Sequence, residues 1–141
     1  MFRVRALRVR FFCLQVLDAL AAPPAGLSVA FVGSRAIRSL NRSYRGRDSA
    51  TDVLSFDYAD ATGVTDALRG EIVICPAAAW DQAGRWRTTP EREVRRLLVH
   101  GILHLLGFDH ERDRGEMLRL QRRLLRRRFA LAGLPLLEKR H

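Results

Sequence analysis

The sequence predicts an α+β fold: a small sheet of about four strands covered by helices, in a single domain spanning residues 1–141. Its length of 141 residues and its 48% hydrophobic content suit one core. Short β-branched runs also alternate with segments whose apolar residues recur every three or four positions. Because no run of about 20 apolar residues occurs, we expect no membrane-spanning helix.

The N-terminal segment predicts a strand and then a helix. Residues 2–9 alternate like a short strand, and residues 11–21 show a helical pattern that ends before two prolines. The first 22 residues resemble a signal peptide, since arginines precede an apolar run. Gln15 and Asp18 interrupt that run, so we expect a folded strand and helix instead.

The middle of the chain predicts a strand at residues 27–32 and a helix capped by Ser34. One side of this helix carries Ala36, Ile37, Leu40 and Tyr44, and the other carries Arg35, Arg38, Arg42 and Arg45. Two further strands are predicted at residues 51–56 and 70–75, joined by a polar connection over residues 59–69. The second of these contains an uninterrupted apolar run, Ile72-Val-Ile-Cys75, which predicts burial on both faces.

The C-terminal half predicts three helices. The first runs from Pro76 to about Gly84, and the second is capped by Thr89 and ends near Gly107. The third runs from about Asp113 to Ala132. Its predicted apolar half holds Met117, Leu118, Leu120, Leu124, Leu125, Phe129 and Leu131, and its basic half holds Arg119, Arg122, Arg123, Arg126 and Arg127.

Three histidines in one short run predict a metal site. His100 and His104 are four residues apart, so they share one helix face. Gly107 can end the helix in the left-handed conformation, which lets the chain fold back and bring in His110. Three nitrogen ligands with a position left for water are typical of catalytic zinc, although imidazoles also suit copper, iron or nickel.

The spacing equals that of the metzincin zinc proteases, H-E-x-x-H-x-x-G-x-x-H, with one difference. Gly101 stands where those enzymes carry the glutamate general base, and no nearby glutamate replaces it in the sequence. This favours a metal hydrolase with another way of generating its nucleophile, either a metal hydroxide or a ribose 2′-OH of the substrate.

The net charge of +10 favours an anionic partner, with nucleic acid first and a membrane surface second. Since Lys139 is the only lysine, a general preference for arginine is an equal explanation. The two cysteines, Cys13 and Cys75, lie near no ligand motif and indicate buried thiols in a reducing compartment.

Three sequence blocks resemble the bacterial YbeY family of single-strand-specific, metal-dependent endoribonucleases. The blocks are His100-Gly-x-Leu-His104-Leu-x-Gly-Phe-Asp-His110, Leu40-Asn41-x-x-Tyr44-Arg45 with Thr51-Asp-Val-Leu-Ser-Phe56, and Gly70-Glu-Ile-Val-Ile74. The chain departs from the usual family pattern at Asp57, where proline is usual, and at Glu71, where aspartate is usual.

The resemblance implies one zinc ion on the three histidines and a phosphate contact from Arg45 near the metal. It also implies single-stranded ribosomal RNA as substrate, maturation of the 16S 3′ end and ribosome quality control. The implied partners are the small ribosomal subunit and its assembly factors, in the bacterial cytoplasm and away from membranes.

Several polar and aromatic residues have two interpretations. We interpret Asp52 as a turn or capping carboxylate, and Asp109 either as a partner of a histidine N–H or as a solvated loop residue. Glu71 lies near the cleft or is solvated, and packing is a simpler interpretation of Trp80 and Trp86 than stacking on bases.

Two other functional classes remain open at the level of sequence. One is a metal-dependent hydrolase of a substrate other than RNA, such as a peptide or a small ester. The other is a non-catalytic ribosome-assembly factor with a structural metal, although structural zinc normally has four protein ligands.

Overall fold

The structure is a computed structural model that describes residues 2–22, 26–58, 69–127, 129 and 134–139. The elements in chain order are β1 (Phe2–Val4), α1 (Ala6–Ala19), β2 (Leu27–Phe31), α2 (Ser34–Arg45), β3 (Val53–Asp57), β4 (Gly70–Ile74), α3 (Pro76–Arg85), α4 (Pro90–Leu105), α5 (Glu116–Arg126) and β5 (Leu137–Lys139). The predicted α+β class is confirmed.

The strands form two separate sheets in the described part of the chain. β4 lies at the centre of a three-stranded sheet, parallel to β2 and antiparallel to β3. β1 pairs with β5 in an antiparallel two-stranded sheet, with Val4 opposite Leu137. The prediction of one sheet of about four strands therefore differs in detail, because β1 pairs with a C-terminal strand that the sequence pattern did not indicate.

The central strand β4 is buried on both faces, as its apolar run predicts. Ile72 and Ile74 belong to the larger core cluster, which α1, α4 and α5 also supply. Val73 and Cys75 belong to a smaller cluster on the other face, together with Ile37 of α2. Alternation along the strand thus divides the apolar side chains between two layers of helices.

Helix α4 lies directly against the sheet at Gly101, which has no side chain. A Cβ atom on Gly101 would lie 2.9 Å from Cδ1 of Ile72, which is inside van der Waals contact. Gly101 and Ile72 are both buried. The glycine at the position of the metzincin glutamate therefore has a structural reason, since α4 rests there directly on β4.

The N-terminal strand prediction is wrong beyond residue 4, because helix α1 already begins at Ala6. The buried residues of α1 are Val9, Phe12, Cys13, Val16 and Leu17. This spacing of three and four places one stripe against the core, and it outweighs the short alternation of arginines with Leu7 and Val9.

The last predicted helix is shorter than expected. α5 begins at Glu116 rather than Asp113, because the Asp113 carboxylate accepts hydrogen bonds from the backbone N–H of Gly115 and Met117 at 2.8 and 2.9 Å. It ends at Arg126, since Arg127 is extended. Leu118 and Leu125 are 38% and 36% exposed, so the apolar stripe is narrower than predicted.

Tyr44 and Asn41 of α2 have environments that the helical pattern did not indicate. Tyr44, assigned to the apolar side of α2, is 69% exposed and packs edge-on against Phe56 with ring centroids 5.1 Å apart. Asn41 is buried instead, and its side-chain amide donates to the Ser49 carbonyl at 2.9 Å. The polar connection predicted over residues 59–69 lies outside the described residues except for Arg69.

Both cysteines are free and buried, as predicted. Burial raises the pKa of the Cys13 thiol to about 12, which makes it a weak nucleophile at neutral pH. No helix in the described ranges is both long enough and apolar enough to cross a membrane.

We expect Gly101→Ala to destabilise the protein by about 1 kcal/mol. The overpacking cost against Ile72 is about 1–3 kcal/mol, which exceeds the gain of up to about 1 kcal/mol in helix propensity. Gly84 of α3 is the matched control, since a Cβ there would meet nothing within 4 Å. Gly84→Ala should stabilise by about 0.5 kcal/mol. Urea unfolding measures both changes, and equal effects at the two glycines would contradict the close contact.

Candidate metal centre

The local sequence explains how two histidines come to share one helix face. Thr89 is the N-cap of α4 and its hydroxyl accepts from the backbone N–H of Arg92 at 3.1 Å, with Pro90 in the first turn. Nine residues of α4 are buried, whereas His100 and His104 are half-buried. The histidines therefore lie where the buried face of the helix meets solvent.

The third histidine is positioned by the turn that ends α4. Gly107 has a φ of +99°, and the backbone N–H of Phe108 donates to the Leu103 carbonyl at 3.0 Å. This is the glycine-containing C-terminal motif that reverses the chain direction. The reversal brings exposed His110 to within 5.3 Å, ring centroid to centroid, of both His100 and His104. The predicted convergence of the three side chains is thus observed.

The donor set fits a single metal ion. One ligand nitrogen from each histidine lies within 4.8 Å of the other two, and the Nε2 atoms of His100 and His104 are 3.0 Å apart. Two nitrogens bound to one tetrahedral ion at about 2.0–2.1 Å would be separated by about 3.3 Å. Small side-chain adjustments therefore suffice, and His100, His104 and His110 form a site that can hold a metal ion.

Each helix histidine has a second contact that orients its ring. Nδ1 of His100 lies 2.9 Å from Oε1 of Gln121, an acceptor that keeps the proton on Nδ1 and leaves Nε2 for a metal. His104 makes a hydrogen bond to the backbone of Phe108. Our sequence analysis missed Gln121, although a signal exists: it is a polar residue between Met117 and Leu124 in the buried stripe of α5.

The electrostatics at His100 and His104 favour the neutral imidazole, the form that binds metals. Burial lowers the pKa of His100, and repulsion from His104, His110 and Arg96 adds to this, while the Gln121 hydrogen bond acts in the opposite direction. Burial also lowers the pKa of His104, with contributions from His110 and Arg45. Desolvation is the largest cause for both histidines.

The histidines line an open cleft of about 570 Å³. The alternate residues Val53, Ser55 and Asp57 of β3 form one wall, and Arg45 lies on the same cleft at the end of α2. Gly46 follows with a φ of +67°, which ends α2 immediately after Arg45. The exposed guanidinium of Arg45 therefore lines the same cleft as the three histidines.

Carboxylates also line the cleft, which corrects one sequence inference. Glu111, beside His110, is among the lining residues together with Asp57 and Asp109, so a glutamate does lie near the site. The Asp109 carboxylate accepts from the Glu111 backbone N–H at 3.0 Å and lies 3.5 Å from Nε of Arg112. Asp109 thus stabilises the turn after α4, and its charge raises the pKa of His104.

The other polar and aromatic predictions have mixed outcomes. Asp52, predicted to be a turn or capping carboxylate, lies at a bend before β3, where it accepts from the Thr51 hydroxyl at 3.5 Å and lies 3.9 Å from Arg96. Glu71 accepts a hydrogen bond from the Tyr58 hydroxyl at 3.3 Å and is not among the residues that line the cleft. Trp80 packs against the core as predicted, but Trp86 is 72% exposed, so the packing interpretation of Trp86 is wrong.

Known proteins have sequences similar to that of this chain. Residues 7–128 match the model of the family described as Endoribonuclease YbeY. A relative with that name from Treponema pallidum (strain Nichols) is 40% identical over 132 residues, which cover 88% of this chain and 82% of the relative. The chain belongs to the endoribonuclease YbeY family.

Other members differ in length. A relative named Endoribonuclease YbeY from Anaeromyxobacter sp. (strain Fw109-5) is 43% identical over 126 residues, 88% of this chain and 65% of the relative. The match to the relative of Thermodesulfovibrio yellowstonii spans 64% of that protein, so the chain covers slightly less than two thirds of the length of these two.

A solved structure has a similar fold. The solution structure of TM1509 from Thermotoga maritima superposes with a TM-score of 0.61 at 27% identity, covering 84% of this chain and 77% of that chain.

Of the two positions where the sequence departs from the usual family pattern, Asp57 lines the cleft and Glu71 does not.

We expect Gln121→Leu to lower the affinity for Zn²⁺ by roughly 10- to 100-fold, because the His100 ring loses the acceptor that fixes its orientation. A competing chromophoric chelator measures this affinity without any assay of activity. Gln121→Glu, which keeps an acceptor oxygen, is the control and should bind at least as tightly as wild type. Unchanged affinity in a folded Gln121→Leu protein would show that the hydrogen bond does not orient the ligand.

Proposed function

We propose that this chain is a zinc-dependent endoribonuclease that hydrolyses phosphodiester bonds in single-stranded RNA. The observation that carries the proposal is the convergence of three histidines with Arg45 in one open cleft, in a chain that belongs to the YbeY family. The net charge of +10 also suits a polyanionic substrate.

The three imidazoles would hold the metal, and the cleft would hold the substrate. A zinc ion held there would supply Lewis-acid chemistry, by which a phosphoryl oxygen is polarised and a water is activated near neutral pH. Gln121 and the Phe108 backbone keep the His100 and His104 rings oriented. The carboxylates of Asp57, Asp109 and Glu111 are the nearby groups on the cleft wall that can accept a proton.

Arg45 is the proposed phosphate contact. A guanidinium offers two parallel N–H donors in a planar fork that matches two oxygens of a phosphate. Two observations support this role: Arg45 lines the same cleft as the histidines, and its charge helps to lower the pKa of His104. We propose that it neutralises the phosphate whose ester bond is cut.

The cellular role that we propose is maturation of ribosomal RNA, at the 3′ end of the 16S molecule, and ribosome quality control. The partners would be the small ribosomal subunit and its assembly factors in the bacterial cytoplasm. The two free buried thiols are compatible with a reducing compartment. Family membership is the main support for this role.

Purified wild-type protein should bind about one zinc ion and cut a labelled single-stranded RNA, whereas His104→Ala should lose both properties. The variant removes one of three ligands, and three are the usual minimum for a catalytic site. Metal analysis and gel electrophoresis of the products measure the two effects. Equal cleavage by the two proteins would identify a contaminating nuclease. Metal binding without cleavage in the wild type would favour a structural metal.

Arg45→Ala should lower kcat/KM for single-stranded RNA by about 10- to 100-fold while zinc content stays unchanged, because one charge-assisted phosphate contact is lost. Arg35→Ala is the matched control: Arg35 is exposed on the same helix and is not among the residues lining the cleft. Its activity should stay within about twofold of wild type at constant ionic strength. Equal losses in the two variants would show that Arg45 contributes only to the overall positive charge and makes no specific contact with the phosphate.

A further inference from the structure

An exposed tryptophan lies on the surface outside the metal cleft. Trp86 is 72% exposed at the end of α3, where Arg87 takes a left-handed φ of +52° and the Thr88 N–H donates to the Ala83 carbonyl at 2.9 Å. This hydrogen bond closes the turn and fixes the backbone on either side of the indole. Trp86 lines a depression of about 460 Å³ that also includes Arg92.

A second depression adjoins the first and is strongly basic. It has a volume of about 450 Å³ and is lined by Arg92, Arg95, Arg122, Leu125 and Arg126. No acidic side chain is among the described residues that line it. Arg92 lines both depressions and therefore lies between the indole and the two arginines of α5.

Among the arginines of the basic depression, Arg95 is held by contacts within the protein, whereas the other three are exposed to solvent. Arg95 donates to the Glu91 carboxylate at 2.9 Å and to the Leu134 carbonyl at 3.0 Å, and its guanidinium covers the Phe12 ring. The other oxygen of Glu91 accepts from the backbone N–H of Leu136 and Leu137. Arg92, Arg122 and Arg126 are exposed, so their guanidinium groups face solvent.

The acidic residue beside Trp86 is also neutralised. Glu93 is only 4% exposed and forms an ion pair with Arg96, whose guanidinium is also 3.9 Å from Asp52. The surface around Trp86 thus keeps the positive charge of Arg92. An exposed indole beside exposed guanidiniums is the combination that binds single-stranded nucleic acid, with bases stacking on the ring and phosphates contacting the cations.

We propose that Trp86, Arg92, Arg122 and Arg126 form a second RNA-binding surface that holds the single strand flanking the bond to be cut. The inference rests on the proposed nuclease function and extends it to a separate site. Arg92 is eight residues before His100 on α4, about 12 Å along the helix axis. Arg122 follows Gln121, the residue that contacts His100. The surface is thus built on α4 and α5, the two helices that also hold His100 and its partner Gln121, which leads us to assign it to substrate rather than to another partner.

Helix α5 provides a matched pair of variants for the test. Arg122 and Arg126 line the basic depression, whereas Arg119 and Arg123, also one turn apart, do not. Arg122→Gln with Arg126→Gln removes the same charge as Arg119→Gln with Arg123→Gln. The probe is a fluorescein-labelled 12-nucleotide single-stranded RNA bound to metal-free protein, and fluorescence anisotropy follows binding at several salt concentrations.

The salt dependence of binding should separate the two faces of α5. Each phosphate contact with a single strand contributes about 0.7 to the slope of log K against log salt concentration. The slope of the groove double variant should therefore be shallower by about 1.4, with a lower affinity, while the outer-face variant should change by less than half of that. Equal slopes in the two variants would overturn the proposal.

The stacking of bases on Trp86 can be measured separately. Trp80→Phe leaves Trp86 as the only tryptophan, so its fluorescence should be quenched by the 12-nucleotide single strand and much less by the matched duplex, whose bases are already stacked. Trp86→Ala should weaken single-strand binding by about tenfold or more. Quenching that is equal for single strand and duplex, or unchanged affinity in Trp86→Ala, would overturn the stacking role.

Wild-type behaviour distinguishes failure of this inference from failure of the proposed function. A zinc-loaded wild type that cuts the 12-nucleotide RNA, with binding indifferent to both the Trp86 and groove variants, leaves the nuclease function intact and refutes the second surface. A wild type that neither binds nor cuts this RNA refutes the nuclease function itself.

Discussion

The direct contact of α4 with β4 at Gly101 and Ile72 is the constraint on which the site depends. A side chain at position 101 would push the helix away from the sheet, because Ile72 is fully buried and already within contact distance. With the helix seated there, His100 and His104 lie at the border between the core and the cleft formed by β3. Gly101 stands where metzincin proteases carry their glutamate. It therefore both distinguishes this chain from those enzymes and sets the distance between α4 and β4.

The metal centre is assembled mostly from short-range features of the sequence. The spacing of His100 and His104 is fixed by the helix, and His110 follows from the left-handed turn at Gly107. What the helix alone does not fix is ring orientation, and α5 supplies this through Gln121. Since α5 also buries Met117 and Leu124 against the core, loss of core packing there would disturb the ligand geometry.

The sequence therefore predicted the features with strong local periodicity and missed those that depend on contacts distant in the chain. The α+β class, the doubly buried β4, the N-cap at Thr89 and the convergence of three histidines all follow from patterns within about ten residues. By contrast, the pairing of β1 with β5 joins residues 2–4 to 137–139, and no local pattern records it. Gln121 was likewise missed, since its contact with His100 is made only by the packing of α5 against α4. Glu111 was missed although it directly follows His110 in the sequence. The start of α1 at Ala6 was missed because the alternation over residues 2–9 concealed a longer helical stripe.

The distribution of arginine shows that net charge alone says little about binding. Arg95 and Arg96 are held by Glu91, Glu93 and Asp52, so these guanidiniums stabilise α4 and its neighbours rather than attract a ligand. Arg45 lines the metal cleft, and Arg92 with Arg122 and Arg126 remains exposed around the second surface. An excess of +10 is therefore divided among structural, cleft and surface positions, and a phosphate chain would respond only to the last two. Substitutions that remove the same charge from different faces of a helix are therefore the ones that test a binding site. They change the long-range field equally, so a difference between them reports the loss of a local contact.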